Sequence, residues 1–471
     1  LKAYISSIEP QLLKHINGKV GSFTRELKEH NFLNEAAFIH HICGEKYDKT
    51  YYDNLKHRAL KILQALAIIS IFRGSSEVKK NLDSCRKNFT LGQKFLGKGE
   101  LNEGIRLIKQ AHRTAVRNHF VHMASELSSV LFHHYITYGK NKRIASDYGR
   151  QLEAYSQSYI IEKKTELLFY TAISEQYRSN AAKILQDAIK SIENLQGNSL
   201  KYHTYLRVLN IIYGFSTADY KKVIRDCNDS ISFFMDKAGV YDSYQQFFRS
   251  KLGIAYMATG HYPLALKFFN EAEKYTHTNS KNDYILRFYR TINAIHAGNY
   301  SEAYQRYRKN RNCRFSEIKL QFAIVEAYMC FLAHQGYLKI EGRFRIGKYL
   351  NETFAAQAEK QGNNIAVIIA ELLVYLSRDK GKFIDRVEAI NNYGYRHLRR
   401  QNTRRAKWFI KILCTLPRAN FNPVALQRLA KKPIEMLENH PIRMGENFAI
   451  EIIPFNDLLQ MVLKQMQRKT A

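Results

Sequence analysis

The fold is decided between Leu252 and Ala272, where the chain reads Leu252-Gly253-Ile254-Ala255-Tyr256, then Gly260-His261-Tyr262-Pro263, then Ala265, Phe269 and Ala272. Small residues at Gly253, Ala265 and Ala272 let two antiparallel helices approach closely, and Tyr256, Tyr262 and Phe269 fill the space that remains. Gly260 marks the turn between them. Pro263 falls in the first turn of the second helix, where its missing N–H costs nothing. The frame recurs in Ala297-Gly298-Asn299-Tyr300 with Ala303 and Tyr307, and again in Gln335-Gly336-Tyr337. Gly260, Gly298 and Gly336 are therefore spaced at two intervals of 38 residues. Upstream, Leu91-Gly92, Phe95, Gly99, Leu101, Ile108 and Ala111 give another copy. Weaker turns are expected near Gly139, Ser179 and Ala218, and a last one at Gly381-Lys382-Phe383.

Composition agrees with helices. The chain has 471 residues, 45% of them apolar, and only 7 prolines. No proline separates Pro10 from Pro263, and five of the 7 follow Leu416. An all-β chain needs Pro and Gly at its many turns, so that class is excluded. A disordered chain would be poorer in apolar and aromatic residues.

With Leu252 at position 7 of a repeat, Leu252, Gly253, Tyr256, Ala265, Phe269 and Ala272 occupy positions 7, 8, 11, 20, 24 and 27. On these residues the segment resembles a tetratricopeptide repeat, of the kind found in bacterial regulators and assembly factors. Two positions depart from that pattern: Arg249 stands where Trp is usual and His277 where Pro is usual. The observed period exceeds the customary ~34 residues by about one helical turn. The resemblance implies an all-α, right-handed superhelix, an α-solenoid of antiparallel hairpins. We expect about eight hairpins over residues 76–411, a helical cap formed by residues 412–471, and in residues 1–75 a second cap or, alternatively, an effector or DNA-binding domain. The N-terminal region and Glu451-Ile452-Ile453-Pro454-Phe455 also resemble large bacterial repeat families. The first flank ends in an apolar helix at 60–72. The second carries two short helical patterns at 424–431 and 456–466.

Cys43, Cys85, Cys227, Cys313, Cys330 and Cys414 form no close pair with metal-ligand spacing, which predicts small buried hydrophobes in a reducing compartment. No apolar run reaches the ~20 residues of a spanning helix, so a soluble, cytoplasmic protein is expected. No signal-peptide pattern is visible. Residue 1 is Leu, which leaves a removed leader open.

Catalytic signatures are decoys. Gly92 to Gly99 nearly spells a phosphate-binding loop, but Gly99 replaces the hydroxyl that holds magnesium, and no buried strand precedes it. His119, His122 and Glu126 are predicted to share a helix face, followed by His133 and His134, and His40-His41 precede Glu45. Amphipathic packing accounts for them without a metal. No nucleophile elbow, zinc-protease or dinucleotide motif occurs. The expected protein is not an enzyme and needs no cofactor or metal.

Charge is the remaining signal. Lys+Arg total 73 against 42 Asp+Glu, a net charge of +31, which attracts polyanions. Seven basic residues and no acid lie between Arg396 and Lys411: Arg396, Arg399, Arg400, Arg404, Arg405, Lys407 and Lys411. On one helix, Arg396, Arg400, Arg404, Lys407 and Lys411 would form a single ridge, with Trp408 packed beneath. A second cluster comprises Arg306, Arg308, Lys309, Arg311 and Arg314. Solvated faces usually mix acids with bases, so these clusters are expected to contact an anionic partner. The resemblance implies a non-enzymatic scaffold or regulator that holds a protein or peptide in a concave groove, and the charge makes an acidic partner the expectation. The alternative is an α-solenoid binding RNA or DNA through its phosphates.

Overall fold

A computed structural model describes residues 16, 18–29, 49–71, 76–175, 180–237, 239–340, 363–397, 404–442, 444 and 451–468. Among them are twenty α-helices and no strand. The chain forms two compact units, residues 1–159 and 160–471.

The first unit opens with α1 (Gly18–Glu29) and α2 (Lys49–Ile71). Next come α3 (Glu77–Gly97), α4 (Leu101–Arg117) and α5 (Val121–Thr137). The boundary falls within α6 (Lys142–Glu175). The repeat period predicts two helices between the turns at Gly139 and Ser179, but α6 is one helix of 34 residues. The local cause is plain: no glycine or proline occurs between Gly149 and Gly197 to stop it. Ser179 itself lies outside the described residues.

The second unit continues with α7 (Ala181–Glu193), α8 (Leu200–Thr217) and α9 (Tyr220–Phe234). Two hairpins follow, α10 (Asp242–Ala258) with α11 (Tyr262–Glu273), and α12 (Lys281–His296) with α13 (Tyr300–Asn310). Then come α14 (Ser316–His334), α15 (Asn363–Arg378) and α16 (Lys380–His397). The chain closes with α17 (Arg404–Thr415), α18 (Pro423–Leu429), α19 (Lys431–Glu438) and α20 (Phe455–Arg468). Within the first unit α1 packs on α2, α3 on α4 and α4 on α5, and within the second each helix from α7 to α20 packs on the next, as an all-α helical repeat requires.

The turns share one geometry. Gly260, Gly298 and Gly336 have φ of +80°, +76° and +78°. The Gly260 N–H donates to Met257 C=O at 3.2 Å, and His261 N–H to Tyr256 C=O at 2.9 Å. Gly298 and Asn299 repeat the pair on Ile295 and Ala294, and Gly336 and Tyr337 on Ala333 and Leu332. This doubled bond satisfies carbonyls that a helix end otherwise leaves unpaired, and it requires a left-handed residue. Gly99 makes the same turn. His119 and Ala218 make it without glycine, at φ of 56° and 58°.

Packing within each hairpin follows the expected small-to-large pairing. A β-carbon on Gly253 would lie 2.6 Å from the Phe269 ring. Ile108 stands to Gly92 as Phe269 stands to Gly253, and a β-carbon on Gly92 would lie 2.7 Å from it. Phe269, Ala265, Ala272, Leu252 and Ile108 are all buried.

The C-terminal region shares the core of the hairpins rather than only covering their end. Phe455, Leu458 and Val462 belong to the same buried cluster as Leu252 and Phe269. The Phe409 and Phe455 rings stack at 4.7 Å. Polar contacts extend the reach. The Tyr220 hydroxyl donates to Ile442 C=O at 2.7 Å and accepts Met444 N–H at 2.8 Å. His296 Nε2 meets Glu451 C=O at 3.0 Å, and Gln465 Nε2 donates to Leu376 C=O at 3.2 Å. The C-terminal region is thereby bonded at three well-separated points, Tyr220, His296 and Leu376, to the helices that precede it.

Candidate partner-binding surface

The acid-free segment divides between two helices. Arg396 belongs to α16, while Arg404, Lys407 and Lys411 belong to α17; Arg399 and Arg400 lie outside the described residues. Arg405 is a correction to the sequence reading: its side chain is 7% exposed and pairs with buried Glu451. The next residue along a helix turns by about 100°, so Arg404 faces water while Arg405 faces the core. Arg404 and Lys411 are exposed and Lys407 is half-buried. Trp408 lies against the edge of the His440 ring, centroids 4.4 Å apart.

The second cluster is partly neutralised within the chain. Arg306 donates to Glu302 through Nε and Nη2 at 3.0 and 2.7 Å. The Arg308 guanidinium sits 5.9 Å from the Tyr304 ring. Arg314 donates to Asn279 C=O at 2.9 Å. Lys309 and Arg311 are exposed.

The structure places two of the motifs named from the sequence. Gly92 lies inside α3, Gly97 ends it, and Lys98 is its C-cap. No strand-to-loop phosphate cradle forms there. His119 sits in the turn before α5, so it does not share a helix face with His122 and Glu126 as the spacing predicts. Among the described residues no group of three His, Cys, Asp or Glu could hold a metal ion. His40, His41 and Cys43 lie outside the described residues. Cys85, Cys227, Cys313 and Cys330 are buried free thiols and Cys414 is half-buried. Burial pushes the thiols of Cys85, Cys330 and Cys414 up to about 11, away from the reactive thiolate.

A further surface escaped the sequence reading. Tyr170 of α6, Tyr205 of α8 and Tyr244 of α10 gather near Glu166, with Tyr241, the N-cap of α10, beside Tyr244. Glu166 accepts from Lys163 at 2.9 Å and Lys201 at 3.1 Å, and these bonds hold its carboxyl below the usual range. The Tyr205 hydroxyl reaches its other oxygen at 3.5 Å. Phe169 and Tyr205 stack at 4.5 Å, and Tyr170 meets Tyr205 at 6.1 Å. Burial pushes the Tyr205 phenol well up, and Tyr244 to about 12. Beside these anchored rings, Leu167 is 70% exposed, Tyr170 57% and Tyr241 39%. The 31 tyrosines of the chain are the available signal, but nothing local in the sequence separates exposed rings from those of the core.

No protein-family model matches the chain, and no curated protein matches it. Among solved structures, the crystal structure of the P58(IPK) TPR (tetratricopeptide-repeat) domain aligns over 82% of this chain and 99% of its own. The identity is 11% and the TM-score 0.20. The hairpins and their shared turns define the class on their own: an all-α helical-repeat protein.

Proposed function

We propose that this chain is a non-enzymatic scaffold or regulator of tetratricopeptide type. It holds a protein or peptide partner of acidic character against the first helices of its hairpins. The observation that carries the reading is the surface of Leu167, Tyr170 and Tyr241, apolar and exposed over a bed of anchored tyrosines. Large exposed aromatics on rigid helices supply contact area at small cost in conformational entropy. The net charge of +31 favours an acidic partner and speeds its encounter.

The test is site-specific photocrosslinking from position 170 in native lysate, with and without nuclease. A discrete protein adduct that persists after nuclease and is lost in Leu167→Ser/Tyr241→Ala is expected. An adduct abolished by nuclease would replace this reading with nucleic-acid binding.

A further inference from the structure

Three hairpins carry an arginine at one equivalent place, eleven residues before the turn residue: Arg207 before Ala218, Arg249 before Gly260 and Arg287 before Gly298. Two of them have anionic company from the chain itself. Arg287 grips Asp283 with Nε at 3.0 Å and Nη2 at 2.7 Å. Arg249 bonds Gln245, lies 3.8 Å from Glu271 and stacks on Tyr275 at 4.7 Å.

Arg207 differs. Its guanidinium stacks on Phe233 at 4.3 Å, and Phe233 occupies the place that Tyr275 holds in the next hairpin. Where Arg287 has Asp283 four residues earlier, Arg207 has His203, whose ring lies 5.0 Å from Phe233. Lys237 adds a further cation, its Nζ 4.5 Å from the same ring. The Arg207 Nε is buried and accepted by nothing among the described residues. The acids of α9 form no ion pair with it among the described residues: Asp226 bonds Lys222 and lies near Arg225, and Asp229 and Asp226 favour the Arg207 cation by charge alone. Burial, then the charges of Arg207 and Lys237, push the His203 imidazole down. A half-buried cationic group with an unused donor, and with no acid bonded to it among the described residues, is costly unless an anion completes it.

We infer that Arg207, Lys237 and His203 form an oxyanion site over the Phe233 ring for a phosphate dianion, either free or as a monoester. One carboxylate matches the single charge of Arg287. Two permanent cations and an imidazole match a group carrying about two negative charges and three acceptor oxygens. The guanidinium offers the planar fork for it, with Nε unspent. The site is distinct from the tyrosine surface and does not depend on a protein partner.

The 471-residue chain should be titrated calorimetrically with inorganic phosphate at fixed ionic strength near neutral pH. Saturable binding at one site is expected, weakened at least about tenfold by Arg207→Gln and by Lys237→Gln. Lys221→Gln removes the same charge from the exposed side of α9 and should change affinity less than about twofold. O-phosphoserine in a parallel titration separates the sources: comparable affinity assigns the site to monoesters, and phosphate-only binding assigns it to the free ion. Lys237 is exposed, so its variant folds even if Arg207→Gln does not. Absence of saturable phosphate binding, or equal losses in Lys237→Gln and Lys221→Gln, overturns the proposal.

Discussion

Arg405 and Glu451 form a buried, two-pronged ion pair across 46 residues, Nε to Oε1 at 2.7 Å and Nη2 to Oε2 at 3.2 Å. Arg405 also donates to the carbonyls of Leu437 and His440, and to Asn456 Oδ1 at 3.1 Å. Glu451 Oε2 accepts Phe455 N–H at 3.1 Å as well. One guanidinium therefore joins α17, the end of α19 and the start of α20.

Removing one partner leaves the other charged, buried and unpaired. Arg405→Met should cost about 3–5 kcal/mol in urea unfolding. Glu451→Gln should cost less, because the amide keeps an acceptor for the guanidinium. Equal stability of Arg405→Met and the parent would contradict this account of the C-terminal contacts.

The two kinds of glycine in the α10–α11 hairpin should respond differently to alanine. At Gly260 a β-carbon meets nothing within 4 Å, so Gly260→Ala bears only the left-handed strain of φ +80°, about 1 kcal/mol. At Gly253 the new methyl would overlap the buried Phe269 ring, a packing conflict of about 1–3 kcal/mol. Phe269→Leu in the Gly253→Ala background should recover part of that loss, and should recover none at Gly260. Denaturant midpoints of the four variants check the ordering.

This contrast also explains what the sequence could disclose. A left-handed turn after a helix and a close helix crossing each leave a local mark, glycine at a fixed offset, so Gly260, Gly298, Gly336, Gly92 and Gly253 announce the hairpins. The α18 and α20 helices were legible for the same reason, from local periodicity, although α19 was missed. Contacts between distant residues leave no such mark. Arg405 looks like its neighbours Arg404 and Lys407 until Glu451 is brought against it. The tyrosines around Glu166 come from three helices, and only their assembly separates them from the aromatics of the core. Likewise, that no acid of the described residues is bonded to Arg207 becomes visible only when Asp283 is seen bonded to Arg287.

His296 makes the second unit sensitive to acid. Burial pushes its imidazole down to about 4, although Nε2 is bonded to the Glu451 carbonyl. The unfolded chain binds the proton near pH ~6.5, whereas the folded chain resists it. Stability from this residue is therefore complete above pH ~6.5 and declines as pH falls toward the folded value. Between about pH 7 and 5 the loss should be about 2 kcal/mol. His296→Gln keeps an amide donor without a titrating ring and should flatten that part of the profile. An unchanged slope in the variant would assign the acid sensitivity to other groups.

Adjacent arginines on α17 should separate binding from stability. Arg404 is exposed and Arg405 buried, so the same substitution acts on different quantities at the two positions. Arg404→Gln/Lys407→Gln should leave the urea midpoint within about 0.5 kcal/mol of the parent, as surface changes usually do. If the excess charge serves an acidic partner, the double variant should bind a polyglutamate probe severalfold more weakly, with a shallower salt dependence, because fewer screened contacts remain. Arg405→Gln should do the reverse, lowering stability by several kcal/mol while the folded fraction keeps its salt dependence. The comparison is controlled internally, since Arg404→Gln and Arg405→Gln each remove one positive charge from the same turn of one helix. Probe affinity that follows total charge alone, equal for the two single variants under folding conditions, would show that this face of α17 has no special part in recognition.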